Sequence, residues 1–276
     1  MEGRSKLVGT NPSATGGMRM TRRKMLIGNW KMYKTVAEAR AFAEQLGRSA
    51  HLLADSLDYA ICPPVTALQT LRVVLPTKVA LGAQNIYFEQ QGAFTGEVSA
   101  EMVRELGARY VIVGHSERRN LFGESDEWVR QKVHTAVASG LTPILCVGED
   151  LRQREQNETM SVVERQTMSG LSDLTGEQVA TAVIAYEPVW AIGSGMTPSP
   201  EQAEEVIAHI RRVVSDTKGQ ETAKQIRILY GGSVKPNNIA GFVAQPNIDG
   251  ALVGGASLEV ESFVAMAQAM AGGEQS

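Results

Sequence analysis

The chain has 276 residues, of which 43% are hydrophobic and 21% charged, with a net charge of −3 and a pI near 5.9. This composition suits one large α/β domain with a sizeable core, and the mild acidity gives no general attraction to nucleic acid or to an anionic membrane. No apolar stretch approaches the roughly 20 residues that a membrane helix needs.

Both chain ends predict segments outside the folded domain. Residues 1–21 are rich in Gly, Ser, Thr and Arg and contain no apolar stretch of the kind that a secretory signal requires. We expect a disordered N-terminal extension over 1–21, a single catalytic domain over 22–271 and a disordered tail over 272–276. Cys62 and Cys146 lie within apolar runs, which favours buried free thiols, a reducing compartment and a cytoplasmic location.

From Lys24 onward, short β-branched runs alternate with longer helical patterns. The runs predict strands at 24–30, 57–62, 79–83, 110–114, 142–147, 182–186, 226–230 and 250–253. Helical patterns between them include 35–53, 126–139, 200–217 and 258–270. Ser199, Pro200 and Gln202 form a capping-box start for the third of these helices.

Eight alternations of strand and helix indicate right-handed crossovers and a parallel sheet. Eight units can close into a barrel or form an open doubly wound sheet, and periodicity alone favours neither. In both architectures ligands bind at the carboxyl ends of the strands, so polar residues at those ends are the candidate functional residues.

The first two candidate positions follow the first and fourth strands. Asn29 and Lys31 share one face with Ile27, because side chains alternate along a strand. Solvation of both groups just beyond the strand is the plainer interpretation for this pair alone. His115 follows an apolar strand and Gly114, which is typical of an acid/base residue, although a histidine that only caps a turn would give the same pattern.

The third candidate position is Glu187, at the end of the apolar sixth strand. Partial desolvation there would raise the pKa of its carboxyl toward that of a useful base; a structural salt bridge is the alternative. The eleven residues 188–198 then separate this strand from the helix cap, which is long for such a connection. Small residues in the middle and prolines on either side favour a mobile lid over an ordinary surface loop.

Paired glycines follow the last two strands, at 231–232 before Ser233 and at 254–255. Glycines allow backbone N–H groups to approach an anion closely, and two such turns in consecutive units predict a phosphate site. No His, Cys, Asp or Glu cluster has the spacing of a metal site, and no dinucleotide or Walker motif is present. We therefore expect neither a metal nor a cofactor.

Eight short segments of the chain, taken together and in order, resemble the triosephosphate isomerase family over residues 24–271. They are GNWKMYK (28–34), AQN (83–85), GAFTGE (92–97), VGHSERR (113–119), CVGE (146–149), AYEPVWAIGSG (185–195), YGGSV (230–234) and DGALVGGASL (249–258). The resemblance implies a closed (β/α)8 barrel and a glycolytic and gluconeogenic isomerase. It would interconvert dihydroxyacetone phosphate and D-glyceraldehyde 3-phosphate through an enediolate.

The resemblance also implies roles for individual residues. Glu187 matches the base, and His115 matches the electrophile that polarises the carbonyl and moves protons between the two oxygens. Lys31 and Asn29 match a cation and an amide that contact the substrate, and Glu117 matches a carboxylate beside that lysine. The positions that match backbone donors to phosphate are Gly193, Ser233, Gly254 and Gly255.

The lid and one projecting loop carry the remaining expectations. The lid would comprise Pro188, Val189, Trp190, Ala191, Ile192, Gly193, Ser194, Gly195, Met196, Thr197 and Pro198. Its last three residues depart from the family pattern at the C-terminal hinge. The segment 92–97 resembles a loop that enters a neighbouring subunit, with Thr95 at its tip. That implies a homodimer, and a tetramer is also compatible.

Two other functions remain open at this stage. A phosphate-binding barrel that acts on another sugar phosphate or on an indole phosphate would share the glycine pairs. A barrel that has lost catalysis and acts as a binding protein would share the fold. The segment 187–193 and the Asn29–Lys31 pair argue against the first, and the presence of Lys31, His115 and Glu187 together argues against the second.

Overall fold

The computed structural model describes residues 22–272, which form a closed barrel of eight parallel strands. The strands are β1 Met25–Asn29, β2 Asp58–Cys62, β3 Val79–Ala83, β4 Ala108–Val113, β5 Thr142–Val147, β6 Val183–Tyr186, β7 Arg227–Tyr230 and β8 Gly250–Val253. Each strand pairs with the next, and β8 returns to β1. The prediction of a (β/α)8 barrel is confirmed.

The helices of the described residues lie on the outside of this barrel. They are α1 Val36–Ser49, α2 Leu68–Val74, α3 Ala100–Glu105, α4 Ser116–Phe122, α5 Asp126–Ala138, α6 Leu151–Glu155, α7 Thr159–Leu171, α8 Gly176–Thr181, α9 Pro200–Lys218, α10 Gln220–Gln225, α11 Ile239–Val243 and α12 Val260–Gly272. No helix within residues 22–272 is both long and apolar enough to cross a membrane. The last helix includes Gly272, where the predicted tail begins. The predicted extension 1–21 and the rest of the tail lie outside the described residues.

Local backbone chemistry sets the element boundaries. The helix predicted at 35–53 ends at Ser49 and tightens into a 3-10 turn over Ala50–Leu52, as helix ends often do. The fourth strand begins at Ala108, two residues before its predicted start, since Gly107 makes the preceding turn at φ +86°. The predicted capping box at Ser199 is present, with Gln202 as its partner.

The core has two layers. Alternate strand residues fill the barrel interior: Met25, Ile27, Ala60, Cys62, Tyr110, Ile112, Ile144, Cys146, Val183, Ala185, Leu229 and Leu252. The other strand residues pack outward against the helices in a larger cluster. Both cysteines are free and buried, as expected, and burial raises the pKa of the Cys62 thiol to about 12. A thiol with that pKa is unreactive at neutral pH.

The same alternation carries two polar residues to the carboxyl end of the barrel. Asn29 continues the inward series of Met25 and Ile27, and Glu187 continues that of Val183 and Ala185. Both polar side chains are buried. The barrel therefore ends in a polar layer, and closure brings together strands that lie far apart in sequence.

A buried ion cluster fixes the segment behind the fourth strand. Glu124 accepts hydrogen bonds from both Lys132 and Arg118, and the Lys132 ammonium also donates to Asn85 Oδ1 at 2.8 Å. The side chains of Glu124 and Lys132 are both 1% exposed. Burial raises the pKa of the Glu124 carboxyl, but the two cations outweigh burial and hold that pKa below its usual value.

Removing the charge of Glu124 is expected to destabilise the fold strongly. Glu124→Gln leaves Lys132 as a buried and uncompensated cation, which should lower the free energy of unfolding by about 3 kcal/mol. Glu127→Gln removes an exposed pair with Arg130 and should cost less than about 1 kcal/mol. Urea unfolding at pH 7 measures both, and equal losses would contradict the assignment.

The same pair of proteins has an expected pH dependence. Because the folded-state pKa of Glu124 is depressed, its stabilisation is complete above the pKa of an unfolded glutamate, about 4.3. It is lost as the pH falls through the lower folded value. The stability gap between the wild type and Glu124→Gln should therefore narrow below about pH 4.3 and stay constant from pH 5 to 8.

Candidate active site

A cleft of about 320 Å³ lies at the carboxyl end of the barrel, within the size range of small-ligand sites. Its walls come from the ends of β1, β4, β6, β7 and β8. It contains every residue predicted to bind substrate or phosphate: Asn29, Lys31, His115, Glu187, Gly193, Ser233, Gly254 and Gly255. The structure thus brings together residues that lie as much as 226 positions apart in the chain.

The imidazole of His115 has a defined tautomer. Gly114, at φ +71°, turns the chain out of β4, and His115 caps α4. Its Nδ1 accepts a hydrogen bond from the Glu117 N–H at 3.2 Å. A neutral imidazole that accepts at Nδ1 carries its proton on Nε2. That Nε2–H faces Glu187 Oε1 at 2.9 Å.

Glu187 is held on both oxygens. Its second oxygen accepts a hydrogen bond from the Ser116 N–H at 3.0 Å, and the side chain is 2% exposed. Burial raises the pKa of this carboxyl, but His115, the Ser116 amide and Lys31 together lower it below its usual value. The expectation of a raised pKa is therefore wrong for this arrangement of the site, because donors to the carboxylate outweigh desolvation.

The same contact acts on His115 in the opposite direction. Burial lowers the pKa of the imidazole, and the charge and hydrogen bond of Glu187 outweigh burial and raise that pKa. The two side chains thus stabilise each other's charged forms while they touch. A group that separated them would leave the imidazole neutral, since the Glu117 N–H occupies Nδ1.

Lys31 has a strained backbone and a paired side chain. Its φ of +52° lies in the left-handed region that non-glycine residues seldom adopt. Two hydrogen bonds hold this conformation: the Lys31 N–H donates to Asn29 Oδ1 at 3.0 Å, and Gln84 Nε2 donates to the Lys31 carbonyl at 2.7 Å. The ammonium donates to Glu117 Oε1 at 2.6 Å. Asn29 therefore has a structural task besides lining the cleft.

The glycine pairs at the ends of β7 and β8 also line the cleft. A Cβ on Gly232 would lie 2.1 Å from the Tyr230 hydroxyl oxygen, and one on Gly254 would lie 3.3 Å from Lys31 Cε. Absence of side chains lets the backbone reach the cleft at these two points. This part of the cleft is lined by backbone rather than by bulky groups, as an anion cradle requires.

Asn238 organises the loop that follows Ser233. Its side-chain amide donates to the Ser233 carbonyl at 3.1 Å, and its Oδ1 accepts from the Lys235 N–H at 2.8 Å. Both bonds close the loop on itself. Asn238 was not among the residues predicted from the sequence, although the run Lys235-Pro236-Asn237-Asn238 carries the signal of an Asx turn.

The predicted lid is anchored at its start and exposed at its middle. The Trp190 indole N–H donates to Glu149 Oε1 at 2.8 Å, and the Arg154 guanidinium lies over the Trp190 ring at 4.2 Å. Gly193 and Gly195 have φ of +70° and +81°, which explains why this segment contains glycine. The stretch from Gly193 to Thr197 is exposed, and Pro198 is buried at the hinge.

Two predicted residues lie beside the cleft rather than in it. Glu117 lines an adjoining depression of about 350 Å³ that shares Asn29, Lys31 and His115 with the first. Thr95 is exposed and lines neither depression. Ser116, whose N–H binds Glu187, and Glu149, which anchors Trp190, lie within the motifs VGHSERR and CVGE. The sequence assigned neither a role, because a backbone donor and a buried partner are defined only by their contacts.

The fold and the site define a barrel enzyme with a paired carboxylate and imidazole and a backbone cradle suited to an anion. Within residues 22–272, no group of three or more His, Cys, Asp or Glu residues could hold a metal ion. The family model described as triosephosphate isomerase matches residues 24–270.

Individual relatives agree with the family match. The triosephosphate isomerase of Carboxydothermus hydrogenoformans is 52% identical, over 89% of this chain and 98% of its own length. That of Roseiflexus castenholzii is 54% identical, over 88% and 96%, and that of Symbiobacterium thermophilum is 53% identical, over 91% and 98%. The chain belongs to the triosephosphate isomerase family.

Removing the Asn238 side chain should weaken anion binding at the cradle. Asn238→Ala deletes both hydrogen bonds that order the Ser233 loop, worth together about 1–2 kcal/mol. We expect the dissociation constant for inorganic phosphate, measured by calorimetry, to rise about fivefold to thirtyfold. Asn237→Ala changes the exposed neighbouring residue and should leave the dissociation constant for phosphate unaltered. Equal affinities in the two variants would contradict this role.

Proposed function

We propose that this chain interconverts dihydroxyacetone phosphate and D-glyceraldehyde 3-phosphate through an enediolate, without a metal or cofactor. The observation that carries the proposal is the convergence of Glu187, His115 and Lys31 in one cleft beside a backbone cradle. Family membership supports the same reaction. The reaction belongs to glycolysis and gluconeogenesis, and we place it in the cytoplasm, consistent with two free buried cysteines.

Glu187 is the proposed base. Its lowered pKa keeps it ionised at neutral pH, and Oε1 can accept the proton from the carbon beside the carbonyl once the Nε2–H of His115 has turned to the substrate. The C–H electrons then form the double bond of the enediolate, and the carbonyl electrons move to oxygen. Substrate that takes over the Nε2–H of His115 removes a donor from Glu187, which makes the carboxylate a stronger base when it is needed.

His115 and Lys31 stabilise the charge that develops on oxygen. The Nε2–H of His115 is preorganised by the bond at Nδ1, so it can donate to the carbonyl and then exchange protons with either oxygen. The ammonium of Lys31 lies in the same cleft, and the Asn29 amide lies beside it. Fixed donors in a site that excludes water stabilise such charge without reorganisation.

Backbone N–H groups of Gly193, Ser233, Gly254 and Gly255 are the proposed donors to the substrate phosphate. Of these, Gly193 belongs to the exposed middle of the lid and already lines the cleft, so a small movement of the lid would bring its N–H onto the phosphate. Closure would also exclude water from the enediolate. The lid residues from Pro188 to Pro198 therefore link binding of the phosphate to protection of the intermediate.

We also propose that two copies of the chain assemble as a homodimer. The depression next to the active site is lined by Met32, Val65 and Phe122, and Met32 is 93% exposed in the single chain. An exposed apolar lining of this kind is typical of a protein interface. Thr95 of the partner would enter it and stabilise Asn29 and Lys31.

The two alternative functions receive less support. A barrel for another sugar phosphate would not need the pairing of His115 with Glu187 at 2.9 Å, which suits proton transfer at adjacent carbons. A barrel without catalysis would have no use for a buried carboxylate whose partners keep it ionised. Turnover of glyceraldehyde 3-phosphate separates the proposed function from both alternatives.

Changing the base should abolish turnover and spare the fold. Glu187→Gln is expected to lower kcat in a coupled assay with glyceraldehyde 3-phosphate by about 10³-fold or more. Glu187→Asp should lower it by about 10²-fold, since the shorter side chain leaves the oxygen about 1 Å from its position. Glu205→Gln, on the exposed face of α9, is the control and should match the wild type.

Thermal unfolding of the same proteins shows whether each variant is folded, so that a loss of turnover can be separated from a loss of structure. A folded wild-type protein without turnover would refute the proposed reaction, whatever the variants do. A wild-type protein with turnover that Glu187→Gln retains would refute only the role of Glu187.

Disturbing the tip of the projecting loop should separate the subunits. Thr95→Arg is expected to shift the mass measured by light scattering from twice 29.8 kDa toward the mass of one chain, and to lower kcat by at least about tenfold as Lys31 loses support. Thr77→Arg adds the same charge at another exposed threonine and should change neither. A wild-type monomer with full activity would contradict the assembly.

A further inference from the structure

Lys235 lines the active-site cleft, although the sequence reasoning gave it no role. It follows the cradle residue Ser233 by two positions and lies in the same wall as Gly231, Gly232 and Val234. Lys31 is the other lysine in this cleft. The two lysines differ in their charged neighbours, because Lys31 forms a salt bridge with Glu117 and Lys235 forms none with any described residue. That difference indicates separate functions.

The charge of Lys31 is largely matched before any ligand arrives. Its ammonium lies 2.6 Å from Glu117 Oε1, and the cleft also contains the Glu187 carboxylate, whose lowered pKa keeps it ionised. Without Lys235, the three charged groups Lys31, Glu117 and Glu187 sum to a net charge of −1. A doubly charged phosphate group would then approach a negative cleft in a chain whose overall charge is already −3.

Lys235 supplies the missing positive charge. Among residues 22–272 it forms no salt bridge, and it is exposed at the mouth of the cleft. Its backbone, in contrast, is fixed: its N–H donates to Asn238, and its carbonyl accepts from the N–H groups of Asn238 and Ile239 at 3.1 Å each. A free ammonium on an anchored backbone lets the charge follow an incoming anion without a competing partner.

We propose that Lys235 attracts the phosphate dianion of the substrate into the cleft and so raises the association rate. This inference rests on the proposed function, in which Lys31, His115 and Glu187 carry out the chemical step. Charges at the rim of a binding site act mainly on association and on its salt dependence. The effect should therefore appear in KM and in kcat/KM, and kcat should stay within about twofold.

Three variants test the proposal. Lys235→Gln removes the charge, Lys235→Arg retains it, and Lys224→Gln removes one positive charge from exposed helix α10, which precedes β7 and so lies at the opposite end of the barrel. For Lys235→Gln we expect kcat/KM at low ionic strength to fall about fivefold, the ratio that Coulomb's law in water gives for a unit charge about 8 Å from a dianion.

Salt provides the diagnostic readout. The decline of kcat/KM between about 10 and 300 mM salt should be shallower in Lys235→Gln than in the wild type, because screening acts on a smaller attraction. Lys235→Arg should restore both the rate and the slope. Lys224→Gln should stay close to the wild type, because its charge lies at the opposite end of the barrel, where the Coulomb attraction for an anion in the cleft is much weaker.

Several results would overturn the proposal. They are an unchanged salt slope in Lys235→Gln, a loss confined to kcat, a failure of Lys235→Arg to restore the rate, or an equal loss in Lys224→Gln. Calorimetric titration with inorganic phosphate repeats the comparison without turnover, and Lys235→Gln should weaken that binding about fivefold. A wild-type protein that shows this phosphate effect but no isomerase activity would refute the proposed function and leave the role of Lys235 intact.

Discussion

The contact between the His115 imidazole and the Glu187 carboxylate is the interaction on which the rest of the site depends. It joins the end of β4 to the end of β6 at 2.9 Å, and both groups are buried away from water. The Ser116 and Glu117 amides fix the far side of each group. A carboxylate and an imidazole are thus aligned in the cleft, with the imidazole proton on Nε2.

Much of the surrounding structure lowers the free-energy cost of burying the His115–Glu187 pair. An unpaired carboxylate at this depth would be strongly destabilising, so the end of β6 needs donors, and both of them follow the end of β4. Gly148 shows how closely the strand ends approach one another: a Cβ there would lie 1.7 Å from the Glu187 carbonyl oxygen. The left-handed backbone of Lys31 is also stabilised by neighbouring strand ends, since Asn29 and Gln84 form hydrogen bonds with its N–H and its carbonyl.

Charge is distributed differently at the centre of the cleft and at its mouth. At the centre, His115 is paired with Glu187, and Lys31 is paired with Glu117 beside the cleft, which gives fixed geometry and little net attraction for an anion. At the mouth, Lys235 is unpaired among the described residues and exposed. The residues that hold the site in a fixed geometry therefore differ from the residue that attracts the anion, because a charge already paired within the protein exerts little attraction on a ligand.

The sequence alone determined the order of elements, the strand ends that bear polar groups and, through eight short motifs, the barrel and the family. Local patterns suffice for these, since capping residues, glycine turns and alternation act within a few positions. Only the tertiary structure decided that the pKa of Glu187 falls rather than rises and that Lys235 lines the cleft without a salt bridge to any other described residue. Each depends on groups that are distant in the chain, such as His115 and Glu187, 72 positions apart, and barrel closure alone sets the distance between them.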